Sequence, residues 1–205
     1  MSDMISAFEA IIATAANITT IIKAVYPDKS KQRLDDLEKE ISKLGNEFVK
    51  EKILNDDEYN LFVQIMQNTM LNGTKEKIKR FAKIAHAVYY IEFMEIPRGE
   101  RYVYIVNALS DQEMAVFILL YKELETETGK INEIRVPTTR ADYDDNIKEI
   151  FLRLGIPKVE WSFTIKKLES VGLLQFENMT AGSGIRYRIS DIGKCFVDFL
   201  EMQEN

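Results

Sequence analysis

Near its carboxy terminus the sequence changes period. Leu173–Asn178 alternates apolar and polar residues, Ala181-Gly182-Ser183-Gly184 supplies a turn, and Ile185–Ile189 alternates again. That is the pattern of a β-hairpin with a four-residue, glycine-containing loop. Almost everywhere else the apolar residues recur at steps of three and four, the period of an amphipathic helix. A hairpin set among helices restricts the fold to a mainly α chain in which two strands must pack on helical neighbours.

The first half reads as helices. Over residues 4–25, Ile5, Phe8, Ile12, Ala15, Ile18, Ile22 and Val25 follow helical spacing, and Pro27-Asp28 ends the run. Leu34, Leu37, Ile41, Leu44 and Phe48 then alternate steps of three and four, an a/d heptad stripe two heptads long. Such a stripe serves an ordinary helix–helix seam or an intermolecular one. Asn55 followed by Glu58 forms a capping box, which predicts a helix to about Leu71 with Leu61, Phe62, Ile65 and Met66 inward. Asn72-Gly73 stops it, and Thr74 caps a further helix to about Phe93. Pro97-Arg98-Gly99 is expected to break that helix, and a short helical or irregular segment carrying Tyr102, Ile105 and Val106 follows.

A boundary is expected near Leu109. Ser110 and Glu113 form a second capping box that opens an apolar helix through Leu124. Residues 130–140 read as a loop or short strand, with Ile131, Ile134 and Val136 before Pro137. A helix from about Asp142 to Leu154 and another from Lys158 to about Val171 follow, separated by Gly155-Ile156-Pro157. Gly172 is the expected left-handed helix end. After the hairpin, Ser190-Asp191 caps a last helix carrying Ile192, Phe196, Phe199 and Leu200. Three helices, a two-stranded wing and a helix give the order of a winged helix-turn-helix over 109–205, behind a bundle-like helical region over 1–108.

The residues Leu168-Glu-Ser-Val-Gly-Leu-Leu174 and Tyr187-Arg-Ile-Ser-Asp-Ile-Gly193-Lys-Cys-Phe-Val resemble the end of many bacterial winged-helix domains. With Phe62-x-x-Ile-Met-Gln-Asn, a lysine-rich cap, Phe81-Ala-Lys-Ile, Leu109-Ser-Asp-Gln-Glu-Met-Ala-Val-Phe and Trp161, the chain over roughly 60–205 resembles the abortive-infection alpha (Abi-alpha) family. Asp111 stands where that family usually has proline. The resemblance implies a bacterial or phage setting and a part in phage defence or its regulation. It supplies no catalytic residue.

Composition excludes more than it selects. One cysteine, Cys195, rules out a disulfide framework within the chain, and one histidine, His86, rules out sites needing two imidazoles. No cofactor or metal is expected. The formal net charge is −6, and residues 110–205 carry 12 Lys+Arg against 17 Asp+Glu. A globally basic nucleic-acid binder is therefore excluded. The start, Met1-Ser-Asp-Met-Ile-Ser, lacks a basic n-region and cleavage site, and the free thiol suits a reducing compartment, so a cytoplasmic location is expected. Met4–Ile22 is rich in Ile and Ala but carries Glu9 and Asn17, which favours a buried or oligomer-forming helix over a membrane span. That segment and the heptad stripe together predict a homodimer.

Four groups invite a chemical reading. Arg80 and His86 are spaced like the Arg-x4–6-His motif of HEPN ribonucleases, in which the histidine is an acid/base and the arginine stabilises the phosphorane. Helical geometry opposes it, since six residues place the two about 120° apart around the axis. Lys75, Lys77, Lys79, Arg80 and Lys83 read as a solvated face or a phosphate-contact surface. Asp142, Asp144 and Asp145 read as helix-start carboxylates rather than metal ligands. The helix over 158–171 should bury Trp161, Thr164, Ile165, Leu168 and Val171 and present Val159, Ser162, Phe163, Lys166 and Lys167. With Arg186 and Arg188 from the wing, Ser162, Phe163, Lys166 and Lys167 form the candidate contact surface for DNA or a protein partner. Duplex affinity rests largely on phosphate neutralisation, which this acidic half supplies poorly. Outward Phe163 suits a protein interface.

Overall fold

The computed structural model describes residues 27–44, 55–90, 95–126, 134–136, 145–180 and 184–202. They form α1 (Pro27–Leu44), α2 (Asp56–Asn72), α3 (Lys75–Tyr90), α4 (Ile96–Ala108), α5 (Asp111–Thr126), β1 (Ile134–Val136), α6 (Asp145–Arg153), α7 (Lys158–Ser170), β2 (Leu174–Thr180), β3 (Gly184–Ile189) and α8 (Asp191–Met202). The chain is mainly helical and divides into two compact units, Met1–Asn107 and Ala108–Asn205.

In the first unit α1 packs on α2 and α3, and α2 packs on α3. Leu34, Leu37 and Ile41 of the heptad stripe are buried there, as are Leu61, Phe62, Ile65 and Met66 of α2 and Ile78, Phe81, Ala82, Ala85 and Val88 of α3. The α2 start is a complete capping box: the Asn55 side chain accepts from the Glu58 N–H at 2.9 Å, and the Glu58 carboxylate accepts from the Asn55 N–H at 3.0 Å. Arg33 of α1 donates to the carbonyls of Met70 and Leu71, which the end of α2 leaves unpaired. Gly73 takes the sharp exit, because a Cβ there would sit 2.4 Å from the Thr69 carbonyl oxygen.

The helix begun after Thr74 and the one carrying Pro97 are separate elements, as the sequence suggests, but the segment after the break is a regular 13-residue helix rather than a short or irregular piece. Pro97 lies in the first turn of α4, where a missing N–H costs no hydrogen bond, and the helix runs regularly through Gly99, Tyr102, Val103, Ile105 and Val106, all buried. The expected helix over 4–25 lies outside the described residues, as do Phe48, Phe93, Asp142, Asp144 and the tip of the hairpin loop.

In the second unit the strands form one antiparallel sheet of order β1-β3-β2. The hairpin β2–β3 pairs Leu174 with Ile189 and Phe176 with Tyr187, with a register shift at Glu177. Ile134–Val136, readable in the sequence as loop or strand, is a third strand that covers the other side of β3. The second capping box is present: Glu113 accepts from the Ser110 N–H at 2.7 Å, and Ser110 Oγ accepts from the Glu113 N–H at 3.2 Å. The α7 end turns into β2 through Gly172 at φ 81°, the left-handed region. Ser190 then binds that turn to α8, since its hydroxyl donates to the Gly172 carbonyl, its N–H donates to the Leu173 carbonyl at 3.0 Å, and its hydroxyl accepts from the Gly193 N–H. Gly193 is needed beneath the sheet: a Cβ would sit 2.6 Å from the Leu173 carbonyl oxygen and 3.1 Å from Phe117. Among the described residues no single helix is long and apolar enough to cross a membrane.

Candidate functional site

The second unit presents α7 as its most distinctive surface element. Trp161, Thr164, Ile165 and Leu168 are buried, and they hold the helix in place. Trp161 stacks on Phe151 of α6 with centroids 5.1 Å apart and donates its indole N–H to the Ile156 carbonyl at 2.8 Å. The opposite arc is open. Val159 is 83% exposed and Phe163 65%, one helical turn apart. At 100° per residue, Lys166 projects within about 20° of Val159 and Phe163 within about 40°. Glu160 and Glu169 lie roughly 80–100° off this line, one on each side. The centre of the exposed face is therefore apolar, with one ammonium and no carboxylate.

The cations expected to contact a partner do not act as one set. Lys166 and Ser162 are exposed on α7, and Lys166 has no ion-pair partner among the described residues. Lys167 turns towards α5, where its ammonium lies 3.2 Å from Glu113. Arg188 is engaged within the hairpin, 3.5 Å from Glu177 across the bulge and hydrogen-bonded to Gln175 at 3.2 Å. Arg186 is partly buried on β3. Glu113 was legible in the sequence only as a helix cap. Its second role requires α5 and α7 to meet, and no local pattern announces that. Burial raises the Glu113 pKa, but the hydrogen bonds from Ser110 and the Lys167 ammonium outweigh it, so the carboxyl titrates below its ordinary range.

The basic run on α3 is also divided. Lys77, expected on a solvated face, is buried, and its ammonium donates to the Asn107 carbonyl at 2.9 Å, near the end of α4. Lys79 pairs with Glu76 at 3.0 Å. Arg80 and His86 occupy the same helix, both partly buried, with the angular separation that helical geometry imposes. Burial lowers the pKa of His86 and so disfavours imidazolium near neutrality.

Further large hydrophobic side chains stand open among the described residues: Leu152 on α6, Phe176 on β2, Ile192 on α8 and, in the first unit, Leu71 on α2 and Tyr104 on α4. Ile192 is 40% exposed, whereas Phe196, Phe199 and Leu200 of the same helix are buried. Phe176 meets Tyr187 edge-on across the strands with centroids 6.3 Å apart. No family model, no curated protein and no solved structure matches the chain. The described residues contain no group of three or more His, Cys, Asp or Glu placed to hold a metal ion. The surface itself is thus what bears on function.

Proposed function

We propose that this chain is a non-enzymatic binding protein whose second unit is a winged helix that docks a protein partner through α7. The order α5, β1, α6, α7, β2, β3, α8 supports the winged reading. The observation that carries the choice of partner is the exposed pair Val159 and Phe163 at the centre of the α7 face, with two of the four candidate cations already held by carboxylates of the same unit. A duplex reader needs free cations at that position, whereas large exposed apolar side chains favour a protein surface. The resemblance to the Abi-alpha family adds a setting: the partner belongs to a phage-defence system or its regulation in a bacterial or phage context.

The test compares wild type with Val159→Ser/Phe163→Ser. Both side chains are open, so the stability change should stay within about 0.5 kcal/mol per site. If docking buries them, each is worth roughly 1.5–3 kcal/mol, and the double variant should fail to restrict phage in a plating assay in which wild type succeeds. Wild type that binds mixed-sequence duplex with a steep salt dependence, unaffected by the double substitution, would replace this reading with a DNA-binding one.

A further inference from the structure

Two carboxylates hold cations of the candidate set. Glu113 comes from the first turn of α5, and its two oxygens are divided between the Ser110 backbone N–H at 2.7 Å and the Lys167 ammonium at 3.2 Å. Its side chain is only 14% exposed, so this pair is less screened than a typical surface one. Glu177 sits at the register shift of β2, where the extra residue re-aims the strand, and its carboxylate meets Arg188 on β3. Glu160 and Glu169, by contrast, lie on α7 itself and make no ion pair among the described residues.

We propose that Glu113 and Glu177 are specificity-determining residues that keep this face from binding polyanions. Each withdraws one cation, Lys167 or Arg188, from a position where it would otherwise meet a phosphate. What remains at the centre of α7 is an apolar pair with the single ammonium of Lys166. The surface thus rejects nucleic acid by internal neutralisation rather than by a lack of basic residues, which is selectivity through an unfavourable alternative. The inference rests on the protein-docking reading and adds the means by which the competing ligand class is refused.

The experiment measures binding of a mixed-sequence DNA duplex at low salt, by fluorescence anisotropy, for the full chain. Glu113→Gln/Glu177→Gln releases both cations, and glutamine can still accept from the Ser110 N–H in a capping box. Glu160→Gln/Glu169→Gln removes the same net charge without releasing either cation, and so controls for overall charge. The expected result is roughly tenfold tighter binding by the first variant, with the salt slope steeper by about two, and little change in the second. Adding Lys167→Ala/Arg188→Ala to the first variant should abolish the gain. Melting curves identify any variant that fails to fold. A comparable gain in both double variants, or none in either, overturns the inference while leaving the Val159/Phe163 result to judge protein docking separately. Wild type that already binds the duplex as tightly as the released variant overturns both.

Discussion

His86 is the only imidazole in the chain, and burial governs its behaviour. Its folded-state pKa lies below the ordinary 6.5 because removing it from water penalises the charged form. The unfolded chain therefore takes up this proton first as pH falls. His86 leaves stability intact above about 6.5 and reduces it as pH drops from there through the lower folded-state value. Histidine NMR gives a single titration curve to follow, and its midpoint should lie below 6.5. A midpoint at or above 6.5 would mean that the imidazolium is stabilised in the fold. Neighbouring lysines show what the sequence reveals at this scale and what it hides. Lys166 and Lys167 are adjacent and chemically identical, yet one is open and the other lies 3.2 Å from a carboxylate 54 residues earlier. The helical period tells which side of α7 each occupies. It cannot tell that Glu113 waits beside one of them, just as nothing around Lys77 announces the Asn107 carbonyl that takes its ammonium.

At the scale of elements, helix ends were the most legible features because their chemistry is local. Asn55 with Glu58, Thr74 with the Lys77 N–H, Ser110 with Glu113 and Ser190 with Gly193 are all satisfied within three residues. Each can be read from a four-residue window. Pro97 is harder, since the same residue stops one helix and starts another, and only the order of the residues after it decides. The strand β1 is harder still. Three residues carry little period, and their place is fixed by pairing with Ile185–Tyr187 some fifty residues later. The caps also yield a graded prediction. Thr74→Ala removes a single acceptor and should cost about 1 kcal/mol. Ser110→Ala removes an acceptor from the box that also positions Glu113 for Lys167, so its cost should exceed that of Thr74→Ala and shrink in a Lys167→Ala background. Urea unfolding with unchanged slope would report both. Equal and independent costs would show that the Ser110 cap and the Glu113–Lys167 pair do not support one another.

For the whole molecule, the open issue is assembly. The sequence offers two apolar stripes for a homodimer, and the structure uses one of them internally. Leu34, Leu37 and Ile41 are buried within the first unit, with α1 packed on α2 and α3. A heptad stripe of this length looks the same whether its partner is in the same chain or another, which is why the sequence left it open. The homodimer proposal now rests on residues 4–25 alone. There Ile11, Ile12, Ile18, Ile21 and Ile22 would span most of a helical circumference, and a helix apolar on every side requires several neighbours. A second copy of the same segment would supply them, in an interface burying more than about 1,000 Å². Light scattering across micromolar concentrations should then give twice the chain mass of 23.7 kDa, and deletion of residues 1–26 should give monomer or aggregate. A constant mass near 23.7 kDa for the intact chain would defeat the proposal. Because the truncation leaves α7 untouched, the shortened chain also separates assembly from docking. If it is monomeric yet keeps the Val159/Phe163-dependent phage restriction, partner binding belongs to the second unit alone. If restriction disappears with the dimer while the melting profile persists, two copies of the α7 face must engage the partner together.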